Sequence, residues 1–311
     1  MFPSPVTQGN QVILSQLIKW LRSQDYYIIM LCQTHKDQCA LKSSLSLVNE
    51  VHFLEHNVSS NYRAGDQHPT DKTTVHLNWA IQYLIQANPN ISEIFFQYAS
   101  FAIASRFIPN YIKTICFTHD TQHRFKKELI SNGIEISKER ICSRGQEAKL
   151  LGHTDIIVAI NKVEESFFKR MLPDKAVITV GMFKENANYA PKSERKNKIN
   201  LLYVASKNEP NTIALSKFLS TKWKLLQEIN ASIHFNIVGS IKSNFENHNY
   251  KNLSFLGFVD NLEPLYIDAD ICLNLTDTGT GLKIKTVEAM MYGKATISTI
   301  KGAEGIEIDQ K

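Results

Sequence analysis

Asp277-Thr278-Gly279-Thr280-Gly281-Leu282-Lys283-Ile284-Lys285-Thr286-Val287-Glu288-Ala289-Met290 reads as a strand end, a glycine-rich turn, a basic pair and an amphipathic helix carrying one acid. Before it, Ala269 to Leu275 is short, apolar and β-compatible; after it, Ile284, Val287 and Met291 recur at helical spacing. Glycines let backbone N–H groups approach an anion, and a helix N-terminus adds positive partial charge where a diphosphate would sit. Lys283 and Lys285 bring full charges to the same place. Glu288, about one turn further along, is placed to accept hydrogen bonds from ribose or sugar hydroxyls. Taken singly, each feature has a plainer account as a tight turn, a solvated acid or surface lysines. Together they describe a nucleotide-sugar site.

The rest of the chain bounds that reading. Its 311 residues, 43% hydrophobic, suffice for two domains with sizeable cores. No stretch approaches the roughly 20 apolar residues of a membrane span, and Met1-Phe2-Pro3-Ser4-Pro5 is no secretory signal. Five cysteines without Cys-x-x-Cys spacing read as reduced core residues of a cytoplasmic protein. A net charge of +5 suits phosphorylated ligands or an anionic lipid surface and is too weak to argue for nucleic acid.

Apolar runs alternate with helical patterns along the first half, which predicts parallel α/β units. Candidate strands are Tyr27 to Cys32, Val51 to Leu54, Glu93 to Gln97, Ile112 to Phe117, Asp155 to Ile160 and Ala176 to Val180. An early helix would bury Ile13, Leu17, Trp20 and Leu21 on one face; a later one, opened by Pro210, would bury Leu215, Phe218, Leu219 and Trp223. The polar, basic stretch before Lys198 reads as a linker. It divides the chain into an N-terminal Rossmann-like domain over residues 1–186, a linker over 187–198 and a C-terminal nucleotide-sugar-binding domain over 199–311. In doubly wound sheets ligands sit beyond the carboxyl ends of strands, which singles out His119, just past Phe117. His123 follows at helical i+4 spacing, but no third ligand is near in sequence, so no metal site is expected.

From Leu201 to Glu307 a series of words resembles the C-terminal half of a family 4 retaining glycosyltransferase of the GT-B fold. They run in order: Asn200-Leu201-Leu202-Tyr203-Val204-Ala205-Ser206, Glu209-Pro210-Asn211, Ile233-His234-Phe235-Asn236-Ile237-Val238-Gly239-Ser240 and Leu253-Ser254-Phe255-Leu256-Gly257-Phe258. Leu265-Tyr266-Ile267-Asp268-Ala269-Asp270-Ile271, the glycine turn, Glu288-Ala289-Met290-Met291-Tyr292-Gly293-Lys294, Ala295-Thr296-Ile297-Ser298-Thr299 and Gly302-Ala303-Glu304-Gly305 follow. The resemblance implies an α/β protein of two Rossmann-like domains facing across a cleft. It also implies transfer of a sugar from a nucleoside diphosphate donor, UDP-sugar first, to a hydroxyl of a glycan or lipid-linked saccharide with retention.

The same resemblance implies roles for particular residues. His119 would lie by the transferred sugar, with Lys285 and Glu288 completing the catalytic set. The donor would be held by Gly9 and Asn10 in the first βα loop, Ser206 and Lys207, Gly257 and Phe258, and the turn residues Gly279, Thr280, Gly281, Leu282 and Lys283. Two positions depart from the family pattern. Thr280 stands eight before Glu288, where many members carry a first glutamate, and Ser206 stands where an arginine is common, leaving Lys207 as its substitute. No Asp-x-Asp motif lies in a context for a metal, so neither metal nor cofactor is expected beyond the donor. The resemblance also implies a further strand before Pro3, more chain after Lys311, and possible peripheral contact with the inner face of a membrane. The competing functions are an inactive relative serving as a binding scaffold and, less favoured, a sugar-nucleotide epimerase.

Overall fold

The computed structural model describes residues 9–32, 47–54, 71–133, 142–182, 198–245 and 250–306. The expected linker, apart from Lys198, and the Pro3–Gln8 part of the expected first loop lie outside the described residues. Two compact units emerge, one of Asn10–Gly181 with Thr280–Leu282, the other of Met182–Gly279 with Lys283–Lys311.

In the first unit β1 (Ile29–Cys32) pairs with β2 (Glu50–Phe53), while β3 (Glu93–Gln97), β4 (Lys113–Phe117), β5 (Ile156–Ala159) and β6 (Ala176–Thr179) form a four-stranded sheet in that order. Every pairing is parallel. Each strand falls inside or within one residue of the run expected for it. The helices are α1 (Gly9–Ser23), α2 (Asp71–Ala87), α3 (Gln122–Ser131), α4 (Arg144–Leu151) and α5 (Lys162–Met171). Ile157, Ala159, Cys116 and Phe168 are fully buried at the centre of the core, with Leu31 of β1 and Leu54 packed against it.

Two details of α1 differ from expectation. Its buried face is Ile13, Leu14, Ile18 and Leu21, and Trp20 is 51% exposed. The i, i+4 row that carries the core is therefore turned one position from the one the aromatic suggested. Gly9 and Asn10, expected in a loop, are the first residues of the helix itself.

The second unit is one five-stranded parallel sheet, ordered β11 (Ala295–Ser298), β10 (Ile271–Asn274), β7 (Ile199–Val204), β8 (Ile233–Val238), β9 (Leu253–Gly257). Alternation with period two sends Leu201 and Tyr203 into one core and Leu202 into the other, so both faces of the sheet are apolar, as helix-covered parallel sheets require. The helices are α6 (Glu209–Phe218), α7 (Lys224–Ile229), α8 (Glu263–Asp268) and α9 (Ile284–Met291), with a π-helical turn, Leu219–Trp223, joining α6 to α7. Leu215, Leu219 and Trp223 are buried and Phe218 packs beside them, as the sequence spacing predicted. The order of strands reverses between β7 and β10. Such a switch point is where ligands settle in open α/β sheets.

Candidate functional site

At the switch point the loops after β7 and β10 are tied together by Lys285. Its ammonium donates to Asn211 Oδ1 at 2.7 Å, and it reaches Thr276 Oγ1 at 3.4 Å and the Tyr203 hydroxyl at 3.5 Å, lying 4.7 Å from the Tyr203 ring centroid. Asn211 in turn donates to the Ser206 carbonyl at 3.0 Å. Lys285 as a residue is only partly covered, yet its ammonium end is enclosed. Burial, followed by the charge of Lys283, lowers its pKa to about 7, while Glu288 pulls the other way. Lys283 is buried and its ammonium donates to the Gly279 carbonyl at 2.5 Å, closing the turn on itself. Both lysines thus stand at the turn, held by protein acceptors.

Glu288 accepts from the Tyr266 hydroxyl at 3.0 Å, and Tyr266 stacks on Tyr292 with ring centroids 4.6 Å apart. Gly9 and Asn10 stand at the start of α1, while the donor-side candidates Ser206, Lys207, Gly257 and Phe258 lie at the carboxyl ends of β7 and β9. Lys207 N–H donates to Ser240 Oγ at 2.8 Å, Gly239 N–H to the Gly257 carbonyl at 2.7 Å, and Phe258 is 49% exposed. Gly239 has φ +111°, and a Cβ there would come within 2.2 Å of the Ala205 carbonyl oxygen. We expect Gly239→Ala to lower stability by about 2 kcal/mol or more through strain and backbone overlap, visible as a fall in Tm.

His119 is built by the first unit. Gln97 and Phe117 are partners at the ends of β3 and β4, so a residue two beyond Phe117 lies beside Gln97. His119 Nε2 is 2.8 Å from Gln97 Oε1. An amide oxygen only accepts, so Nε2 carries the proton and Nδ1 is left as an acceptor. The ring is 8% exposed and packs on Tyr98 at 4.7 Å; burial lowers its pKa to about 4, keeping it neutral near pH 7. Tyr98 and His119 both have positive φ, 78° and 60°, a conformation that non-glycine residues hold only when their surroundings impose it.

Gly281 meets this segment. With φ +77°, its position would place a Cβ 2.8 Å from the His119 carbonyl oxygen. His123, by contrast, donates from Nδ1 to Glu147 Oε2 at 2.5 Å, so the i+4 pair is not turned to a shared ligand. Among the described residues no group of three His, Cys, Asp or Glu is arranged to hold a metal, and no helix is long and apolar enough to cross a membrane.

Residues that sequence reasoning passed over complete these contacts: Gln97, Asn211, Tyr203, Tyr266 and Glu147. Asn211 was legible as a helix-opening residue, since Asn208 accepts its N–H at 2.9 Å, but not as the partner of a lysine 74 positions away.

Residues 198–310 match the family model described as Glycosyl transferases group 1, a span that takes in β7 through the last described residue. Sucrose-phosphate synthase from Thermosynechococcus elongatus superposes with a TM-score of 0.72 at 14% identity, covering 94% of this chain and 76% of that one. This is the GT-B fold. Other GT-B neighbours include the Anabaena protein Alr3699/HepE, solved in complex with UDP and glucose, at a TM-score of 0.61 and 12% identity over 95% of this chain and 78% of that one. An E. coli trehalose-6-phosphate protein bound to UDP-2-fluoro glucose has a TM-score of 0.57 at 11% identity, over 92% and 79% of the two chains. No curated protein is close enough in sequence to match. At these identities the structural likeness establishes the GT-B fold, while the group 1 match marks the second unit as a glycosyltransferase domain.

Proposed function

We propose that the chain transfers a sugar from a nucleoside diphosphate donor, UDP-sugar first, to a hydroxyl of a glycan or lipid-linked saccharide with retention at the anomeric carbon. The observation that carries this reading is the turn Gly279–Lys283 at the β7/β10 switch point, running into α9 with two lysine ammonium groups beside it. Such a turn supplies N–H groups and positive charge to a leaving diphosphate, the largest single contribution such a site makes to rate. Two of the GT-B neighbours were solved with UDP or a UDP-sugar bound, which supports the choice of base. Retention follows the family 4 resemblance.

In this reading Lys285 and Lys283 stabilise the departing diphosphate and Glu288 takes the ribose hydroxyls. His119, neutral with Nδ1 as acceptor, orients a hydroxyl of the reacting sugar. A lipid-linked acceptor is supported by α2, which carries no Asp, Glu, Lys or Arg from Thr73 to its end at Ala87 yet exposes Val75, stacked Trp79 and Tyr83 on one face. Exposed Trp and Tyr suit the headgroup layer of a membrane surface.

A second reading, donor binding without transfer, is favoured by Thr280 in place of a first acid and by lysines already engaged with protein acceptors. Incubation of the purified chain with UDP-sugars and both soluble and lipid-linked acceptors separates the two. UDP release that depends on acceptor, with an unchanged anomeric configuration in the product, is expected; tight UDP-sugar binding with no turnover on any acceptor supports the scaffold, and inversion removes the retaining assignment.

A further inference from the structure

The first three N–H groups around the start of α3 are capped by carboxylates brought in from elsewhere. Thr121, at the N-cap, makes no side-chain cap of its own. Glu147 of α4 instead accepts from Gln122 N–H at 2.9 Å and His123 N–H at 3.2 Å, and Glu164 of α5 accepts from Thr121 N–H at 2.9 Å. The same Glu164 oxygen, Oε1, also accepts from Gly281 N–H at 3.1 Å. One buried oxygen therefore joins two segments separated by 117 and 43 residues from it, the glycine turn and the loop that follows His119. Among the described residues the other oxygen, Oε2, has no hydrogen-bond partner, although Glu164 is 1% exposed.

We propose that Glu164 is a positioning residue whose carboxylate fastens the His119 segment to the glycine turn at Gly281. The contact of Gly281 with the His119 carbonyl brings the two segments together, and Glu164 bonds them both. A glutamine would accept the same two N–H groups without burying a charge. A titratable group in this place makes the clamp respond to protons.

Burial, with a smaller contribution from the negative charge of Glu147, raises the Glu164 pKa to about 7 against the lowering pull of Thr121 and Gly281. The other titratable groups about it are His123, bonded to Glu147, neutral His119, Asp120 beside Thr121, and on its own helix Glu165, engaged by Lys162 at 2.8 Å and Lys169 at 2.6 Å. An ionised carboxylate is the stronger acceptor, so the hold on both N–H groups loosens as pH falls through about 7.

The clamp is tested without nucleotide by amide hydrogen exchange at Thr121 and Gly281 in the full chain. At pH 8, Glu164→Gln is expected to raise exchange at both amides about tenfold, and Glu164→Ala by more. At pH 6, once intrinsic exchange is divided out, wild type should approach Glu164→Gln. Unchanged protection in the variants overturns the proposal, and Glu164→Gln, which keeps the shape, decides the matter if the alanine variant lacks a cooperative unfolding transition. The consequence for the donor rests on the function proposed above. The Kd of UDP in Glu164→Gln relative to wild type should be about tenfold weaker at pH 8 and nearly equal at pH 6, a ratio that cancels the nucleotide's own titration. An equal ratio at both pH values overturns the proton response. A wild-type chain that binds no UDP overturns the donor reading instead, while exchange still decides the clamp.

Discussion

Lys285→Met is expected to lower turnover with a UDP-sugar by about a hundredfold or more, because it removes a full charge from the place where the diphosphate develops its own. Methionine keeps most of the side-chain volume, and the acceptors left behind, Asn211 Oδ1 and the Thr276 and Tyr203 hydroxyls, are already within 3.4 Å of one another in two pairs. The effect on stability should therefore depend on pH. The folded-state pKa of Lys285 lies near 7, below its ordinary value of 10.5. Between those values the unfolded chain holds a proton that the folded chain has released, so wild-type stability rises with pH across this window and is flat below it on this account. The difference in Tm between wild type and Lys285→Met should follow that rise. Binding of UDP should return the proton to Lys285, seen as proton uptake when calorimetric heats are compared in buffers of different ionisation enthalpy. Wild-type turnover in Lys285→Met would remove Lys285 from the mechanism.

Gly281→Ala should cost both stability and activity. A Cβ at φ +77° is strained by about 1–2 kcal/mol on backbone grounds alone, and here it would also press against the His119 carbonyl at 2.8 Å. Gly133→Ala is the control, since Gly133 has nearly the same φ, +76°, with nothing within 4 Å of the added carbon. Both variants should lose Tm from strain. Only Gly281→Ala should also lose kcat/KM, by roughly ten- to a hundredfold, as the turn shifts against His119. Equal kinetic effects from the two would mean that the contact with His119 does not matter to the reaction.

Much of the fold was legible because parallel strands buried on both faces leave apolar runs, and all eleven described strands coincide with such runs or with the quoted family words. The glycine turn was legible for a similar reason: Gly279 and Gly281 both adopt the positive φ that only glycine takes readily, and the helix begins directly after Lys283. Partners were not legible. Lys283 and Lys285 read as charges offered to a diphosphate, and nothing in their spacing announces that one bonds its own turn and the other bonds Asn211 from a different helix. Asn161 with Glu164 three residues on reads as a helix start, and Asn161 does accept the Glu164 N–H at 2.9 Å. That local pattern hides the tertiary role, because the Glu164 carboxylate turns away to Thr121 and Gly281. Trp20 misled for the opposite reason: its size suggested core, while the helix buries the Leu14–Ile18 row and leaves the indole at the surface.

The central claim is that the β7/β10 switch point of this chain holds a nucleoside diphosphate. Calorimetric titration of the purified chain with UDP, GDP and ADP, accompanied by thermal unfolding in each, tests it most directly. The account predicts one-to-one binding of UDP, tighter than GDP or ADP, a matching rise in Tm, and loss of both in Lys285→Met. A cooperatively folded chain that gives no heat and no rise in Tm with any of the three at millimolar concentration would contradict it.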